Sequence, residues 1–155
     1  MVAIDPVSGS PGTSLNIGSD PNRISESSDG QYLYVGLDGS LSLTRVDLTS
    51  MAQGPVYSLR LPCTPAPCTG PSFAARDLAV APGNDNLLAI DRGYPSGGVG
   101  LLDISGSTAT TGPNLAGMYT GSNIAFPNAT TVYSYDSDTS GAEFYRWTVP
   151  VLDSR

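Results

Sequence analysis

The sequence predicts an all-β fold built from repeated four-stranded sheets. Three observations predict it. Short runs of β-forming residues are separated by Asp-Gly turns. Turn formers are abundant (18 Gly, 13 Pro) while charged residues make up only 14%, well under the roughly 25% of an average soluble domain. A four-strand pattern also recurs along the 155 residues, which are enough for one domain with a real core.

The pattern is clearest from Arg23 to Leu48. Arg23–Ser25 leads into Asp29-Gly30, Tyr32–Leu37 is a run of strand formers, and Asp38-Gly39 turns the chain into Leu41–Leu48. Asp-Gly between alternating apolar runs signals a hairpin, because tight hairpin turns need φ > 0 and Gly adopts it without a Cβ penalty. Val56–Leu61 closes the unit as a fourth strand.

Before this unit, Val2–Pro6 reads as one short strand, followed by a Ser/Gly/Pro turn and a second strand at Leu15–Gly18. After it the unit recurs as Arg76–Val80, Leu87–Ile90, Val99–Ile104 and a weaker strand near Thr110–Leu115. A third copy runs through Ser122–Phe126, Thr131–Tyr135 and Glu143–Val149. Ile4-Asp5, Val46-Asp47, Leu102-Asp103 and Arg146-Trp147 take equivalent places, at intervals of 42, 56 and 44 residues. The long interval holds a proline-rich insertion at 62–71. The parts are therefore roughly 1–20, 21–62, 72–117 and 118–150 of a single segment.

Periods of about 40–50 residues with four short strands each are the signature of β-propeller blades. Blades pack on both faces, so their middle strands are apolar on both sides, as in Tyr32-Leu33-Tyr34-Val35 and Leu87-Leu88-Ala89-Ile90. A β-sandwich also has short strands between turns, but it does not require copies in register. In strand order the chain reads c-d, a-b-c-d, a-b-c-d, a-b-c: about three blades of a propeller, a partial propeller or half-ring. Complete propellers typically have four to eight blades, so the outer blades are expected to leave apolar faces open. Either the chain is a piece of a longer protein whose remaining blades cover them, the favoured expectation, or it pairs with a homo-oligomer partner.

At Ser28-Asp29-Gly30-Gln31-Tyr32-Leu33-Tyr34-Val35 the sequence resembles the YVTN-type, lactonase-like β-propellers of bacterial secreted and envelope proteins. Ile4-Asp5-Pro6-Val7-Ser8-Gly9 and Ile17-Gly18-Ser19-Asp20-Pro21 fit the same pattern, which in that family carries a strand out of one blade and into the next. Tyr34-Val35-Gly36 replaces the family's Tyr-Val-Thr-Asn, and Pro127-Asn128-Ala129 stands where an Asp-Gly turn is expected. The resemblance implies the fold. The family includes binding modules, surface proteins and a few lactonases, so it does not fix an activity.

Charge excludes some partners. Net charge is −7, His is absent, and all seven basic residues are Arg. A nucleic-acid binder needs a basic footprint, which is missing. An anionic membrane surface repels such a chain, and no apolar run is long enough to span a bilayer. No signal-peptide pattern follows Met1, so a secreted protein would have its signal upstream. Without His or Lys, the Ser–His–Asp, Cys–His, Schiff-base and P-loop chemistries lack their key groups. A carboxylate pair remains formally available, although most of the Asp residues read as turn residues.

Three groups of residues stand out as site candidates. Cys63 and Cys68 flank Thr-Pro-Ala-Pro, and a disulfide across that loop is expected, worth roughly 2 kcal/mol at most. The alternative is two free thiols; zinc lacks partner ligands. Asp136, Asp138, Ser140 and Glu143 offer oxygens at alternate positions around Gly141, as a calcium loop begins. The bidentate Glu of a full loop is replaced by Trp147, so a solvated hairpin turn is the preferred reading and no cofactor is required. Arg92 and Tyr94 sit in Arg92–Gly98, a stretch longer than a minimal blade needs, and form an aromatic–Arg pair of the type found at binding hot spots. A plain surface loop is the competing reading. Trp147, Phe144 and Tyr145 are expected to pack in the core.

The leading functional expectation is a non-catalytic binding or structural module of an exported bacterial protein, secreted or in the cell envelope, with rim loops facing a protein or glycan ligand. The alternatives are a portion of a lactonase-like enzyme and a self-assembling subunit that completes a ring or filament with its own copies.

Overall fold

The computed structural model describes residues 1–59, 73–92, 98–115, 123–136 and 143–149. Within them the chain forms thirteen strands in four antiparallel sheets. A hairpin of β1 (Val2–Ile4) and β2 (Pro11–Ser14) comes first. The first full sheet is β3 (Pro21–Glu26), β4 (Tyr32–Leu37), β5 (Ser42–Asp47) and β6 (Ala52–Ser58), paired in chain order. The second is β7 (Asp77–Ala81), β8 (Asn84–Asp91), β9 (Val99–Asp103) and β10 (Thr110–Asn114). The third has β11 (Asn123–Asn128), β12 (Thr131–Asp136) and β13 (Glu143–Thr148). The arrangement is the expected c-d, a-b-c-d, a-b-c-d, a-b-c, and β3, β7 and β11 lie side by side at the inner end of the stack.

Side-chain alternation along each strand builds a core between every pair of sheets. Tyr34, Leu43 and Tyr57 of the first sheet pack on Val80, Leu88 and Ile90 of the second. Their neighbours Val35, Leu37 and Val46 point the other way, onto Ile17, Met1 and Leu15. In the second sheet Leu87, Ala89 and Leu101 turn toward Val132, Ile124 and Trp147 of the third. The middle strands of the first and second full sheets therefore bury both faces, which is why Tyr34-Val35 and Leu87-Leu88-Ala89-Ile90 read as continuous apolar runs.

The equivalent Asp residues end the third strand of their units and cap the turn that follows. The Asp5 carboxylate accepts from the Val7 N–H at 2.8 Å, Asp47 from the Ser50 N–H at 2.8 Å and Asp103 from the Ser105 N–H at 2.8 Å. Such Asx turns satisfy main-chain donors that no strand reaches. The N–H contacts hold the Asp5 and Asp47 carboxyls below the usual carboxylate range. In the third copy Asn128 does the same work at the first hairpin, accepting from the Thr130 N–H at 3.0 Å.

Several details differ from the sequence reading. The strand expected at Leu15–Gly18 lies earlier, at β2, and Ile17 instead packs beneath the first sheet. The closing strand expected at Val56–Leu61 begins at Ala52. At Asp38-Gly39 the positive φ falls on Leu41, at 51°. Gly39 is needed for space: a Cβ there would lie 2.0 Å from Ser19 Oγ. Arg146-Trp147 is shifted by one residue, since Trp147 faces inward as Val46 does. Phe144, expected in the core, is 81% exposed.

Candidate functional site

Strand register sorts the connections onto two rims. At one rim the first sheet ends with Pro21 opposite Leu37 and Ser42 opposite Ser58. The second ends there with Asp77, Asp91 and Val99 aligned, and the third with Asn123, Tyr135 and the Asp136–Glu143 pair. The Ile124 N–H donates to the Asp77 carboxylate at 2.6 Å and ties the last two sheets together.

Every site candidate read from the sequence belongs to a connection leaving this rim. The stretch with Cys63 and Cys68 joins β6 to β7, the stretch with Tyr94 joins β8 to β9, and that with Asp138 and Ser140 joins β12 to β13. Cys63, Cys68, Tyr94, Asp138 and Ser140, and the side chains of Asp136 and Glu143, lie outside the described residues. Among the described residues no three acids, cysteines or histidines cluster as a metal site.

Arg92 departs from its expected role. It is 5% exposed, so it is an internal anchor and not a surface contact. Its guanidinium lies over the Phe73 ring at 5.2 Å and presses on Gly100, where a Cβ would fall 2.5 Å from Nη2. The Arg92 backbone N–H donates to the Gly98 carbonyl at 3.2 Å, so the chain returns to β9 beside it. Burial pushes the guanidinium pKa down, and a ring face offsets part of that desolvation. Phe73 closes one long connection and Arg92 opens the next. The cation–π contact thus fixes two neighbouring loop roots to one rigid base.

The opposite rim holds short turns and a cross-sheet latch that the sequence did not reveal. The Tyr34 hydroxyl donates to the Asp85 carbonyl of the second sheet. Arg45 lies over the Tyr32 ring at 4.7 Å and donates from Nη1 to Asn86 Oδ1 at 3.4 Å. The Val80 and Gly83 N–H groups donate to the hydroxyls of Ser25 and Ser28, at 3.3 and 3.1 Å. Asp29 is held low by the Ser27 hydroxyl and the Gln31 N–H, while desolvation and the nearby Asp29 charge raise Asp85. Around the outside, an open groove of about 480 Å³ runs between the outermost strands β6 and β10. Its lining of Val56, Ser58, Ser107, Thr108, Thr110 and Thr111 is rich in hydroxyls.

No protein-family model matches the chain, and no curated protein matches it. Solved structures do. A chain of Kuenenia stuttgartiensis hydrazine synthase is similar at TM-score 0.69 and 10% identity, with 96% of this chain and 42% of that chain covered. The β-propeller domain of Myceliophteria thermophila Cps50 (Swd1) is similar at TM-score 0.67 and 14% identity over 87% of this chain and 42% of that one. A chain of the mitotic checkpoint complex gives TM-score 0.60 and 13% identity over 94% and 41%. The chain spans about two-fifths of the length of these neighbours. Likeness at such identities speaks for fold alone: four stacked antiparallel sheets, bonded strand to strand in chain order, make this chain a partial β-propeller.

Proposed function

We propose that the chain is a non-catalytic binding or structural module: a propeller segment of the YVTN type, from an exported bacterial protein, that offers one rim to a protein or glycan partner. One observation carries this reading. The roots of the long connections share a single rim, and two of them are pinned together by Arg92 on Phe73. Rigid sheets below and long connections above are how β scaffolds usually display recognition surfaces. The scarcity of charge and the absence of Lys suit export, and with it a Cys63–Cys68 disulfide.

The test is retention of a partner from a cell-envelope protein fraction and from an immobilised glycan panel. The intact chain retains a partner, and a variant with residues 93–97 shortened to two glycines loses it while its circular dichroism is unchanged. Equal retention by both, or by neither, removes the rim from the proposal. Intact mass before and after reduction and alkylation tests the disulfide.

A further inference from the structure

Building on the export part of that reading, we propose that Asn128 is the acceptor of an N-linked glycan. Of the seven asparagines, only Asn128 is followed two positions later by Ser or Thr, in Asn128-Ala129-Thr130. Asn-X-Ser/Thr, with X other than Pro, is the pattern that N-glycosylation uses on surface loops of secreted proteins. Here Ala129 and Thr130 form the tip of a hairpin closed by the Asn128–Thr131 pair, and residues 127–130 are all exposed. The open flank of the third sheet is not the cause. The matching tips of the first and second sheets, 28–31 and 83–84, are exposed as well, although both of those sheets are covered on two faces.

The turn itself presents the acceptor atom. The Thr130 N–H and the Thr130 hydroxyl both donate to Asn128 Oδ1, each at 3.0 Å. A main-chain N–H only donates, so the amide oxygen must face it and Nδ2 is turned the other way. Nδ2 has no hydrogen-bond partner among the described residues. The co-substrate is a glycosyl diphosphate ester, either lipid-linked or a nucleotide sugar. Nδ2 attacks its anomeric carbon, and the new C–N bond forms as the C–O bond to the diphosphate breaks. The diphosphate leaves with the bonding electron pair, one Nδ2 proton passes to a base of the transferase, and nothing is oxidised or reduced. Thr130 is a positioning residue that holds the amide plane. The tip lies on the rim of short turns, opposite the long connections. A glycan there covers the short-turn rim and leaves the other free for a partner.

Intact mass of the full chain tests this in two arms that separate the donors. In one, the chain is secreted behind a cleavable leader from a host that makes lipid-diphosphate-linked oligosaccharide. In the other, the purified chain meets a soluble N-glycosyltransferase and a nucleoside-diphosphate hexose. The expected result is a single adduct above 16.0 kDa in at least one arm, mapped to Asn128 by peptide mass. Asn128→Gln and Thr130→Ala abolish it, with circular dichroism unchanged because both positions are exposed. Thr130→Ser keeps the hydroxyl and keeps the adduct. No adduct in either arm overturns the proposal, as does an adduct on another residue or one that survives Thr130→Ala. The leader is supplied and no partner is needed, and shortening 93–97 leaves the adduct in place. Failure here therefore counts against Asn128 alone and is told apart from failure of the rim or export reading.

Discussion

The second and third sheets are copies of one repeat in two environments. In the second, β7 is buried along nearly its whole length and β8 buries both faces, with Leu88 and Ala89 both at 0% exposure. In the third, only one face is covered: Val132 is fully buried while its neighbour Tyr133 is 42% exposed. β3, on the other side of the second sheet, is exposed along most of its length. Position in the stack, not the repeat pattern, decides burial. The open face is nevertheless aromatic, where a surface kept free of partners would favour charge.

The sharpest way to break this comparison is to cut one large side chain from each sheet. Leu101→Ala empties a site at 0% exposure between the second and third sheets and should cost about 3–5 kcal/mol. Phe144→Ala removes a larger side chain from the open face and should change the stability of the monomer by less than about 0.5 kcal/mol. Urea unfolding at low protein concentration measures both. Similar costs would mean that the two sheets are equally packed, and the distinction would fail.

A smaller effect tests how the third sheet is held. Asp77→Ala leaves the Ile124 N–H without its acceptor, and losing a hydrogen bond to a charged group costs about 1.5–3 kcal/mol. The loss should be local. Hydrogen exchange should speed up in β11 and β12 and stay unchanged in β4 and β5. Uniform acceleration across all sheets would show that the chain opens as one unit and that the latch has no local role.

Much of this architecture was legible in the residues. Leu87-Leu88-Ala89-Ile90 announces a strand buried on both faces, and the recurring Asp at 5, 47 and 103 marks where a strand ends in a turn. These signals are local, so one sequence reveals them. Arg92 was misplaced because its burial depends on Phe73, nineteen positions earlier, and on the space left by Gly100. Nothing near Arg92 in the chain records that meeting. Gly39 misled for a related reason: its role comes from Ser19 pressing against it, not from its own backbone angle. The outward turn of Phe144 follows from strand parity, which a one-residue shift inverts. The Tyr34–Asp85 latch joins residues fifty-one positions apart and has no sequence signature.

That latch gives the smallest effect. Burial raises the Tyr34 hydroxyl pKa to about 12 in the folded chain, against about 10 when unfolded. The folded state therefore favours the protonated phenol. Its contribution is complete below pH ~10 and is lost as the pH climbs from ~10 towards about 12. Tyr34→Phe should lower stability at neutral pH by about 1 kcal/mol, one hydrogen bond, and flatten the alkaline decline. Tyr133→Phe, on the open face, should shift neutral-pH stability by less than about 0.5 kcal/mol. Urea titrations of the three proteins at neutral pH and above pH ~10 decide it. If Tyr34→Phe kept the same alkaline slope, the decline would arise elsewhere, and the first two sheets would be held by their apolar core without help from the latch.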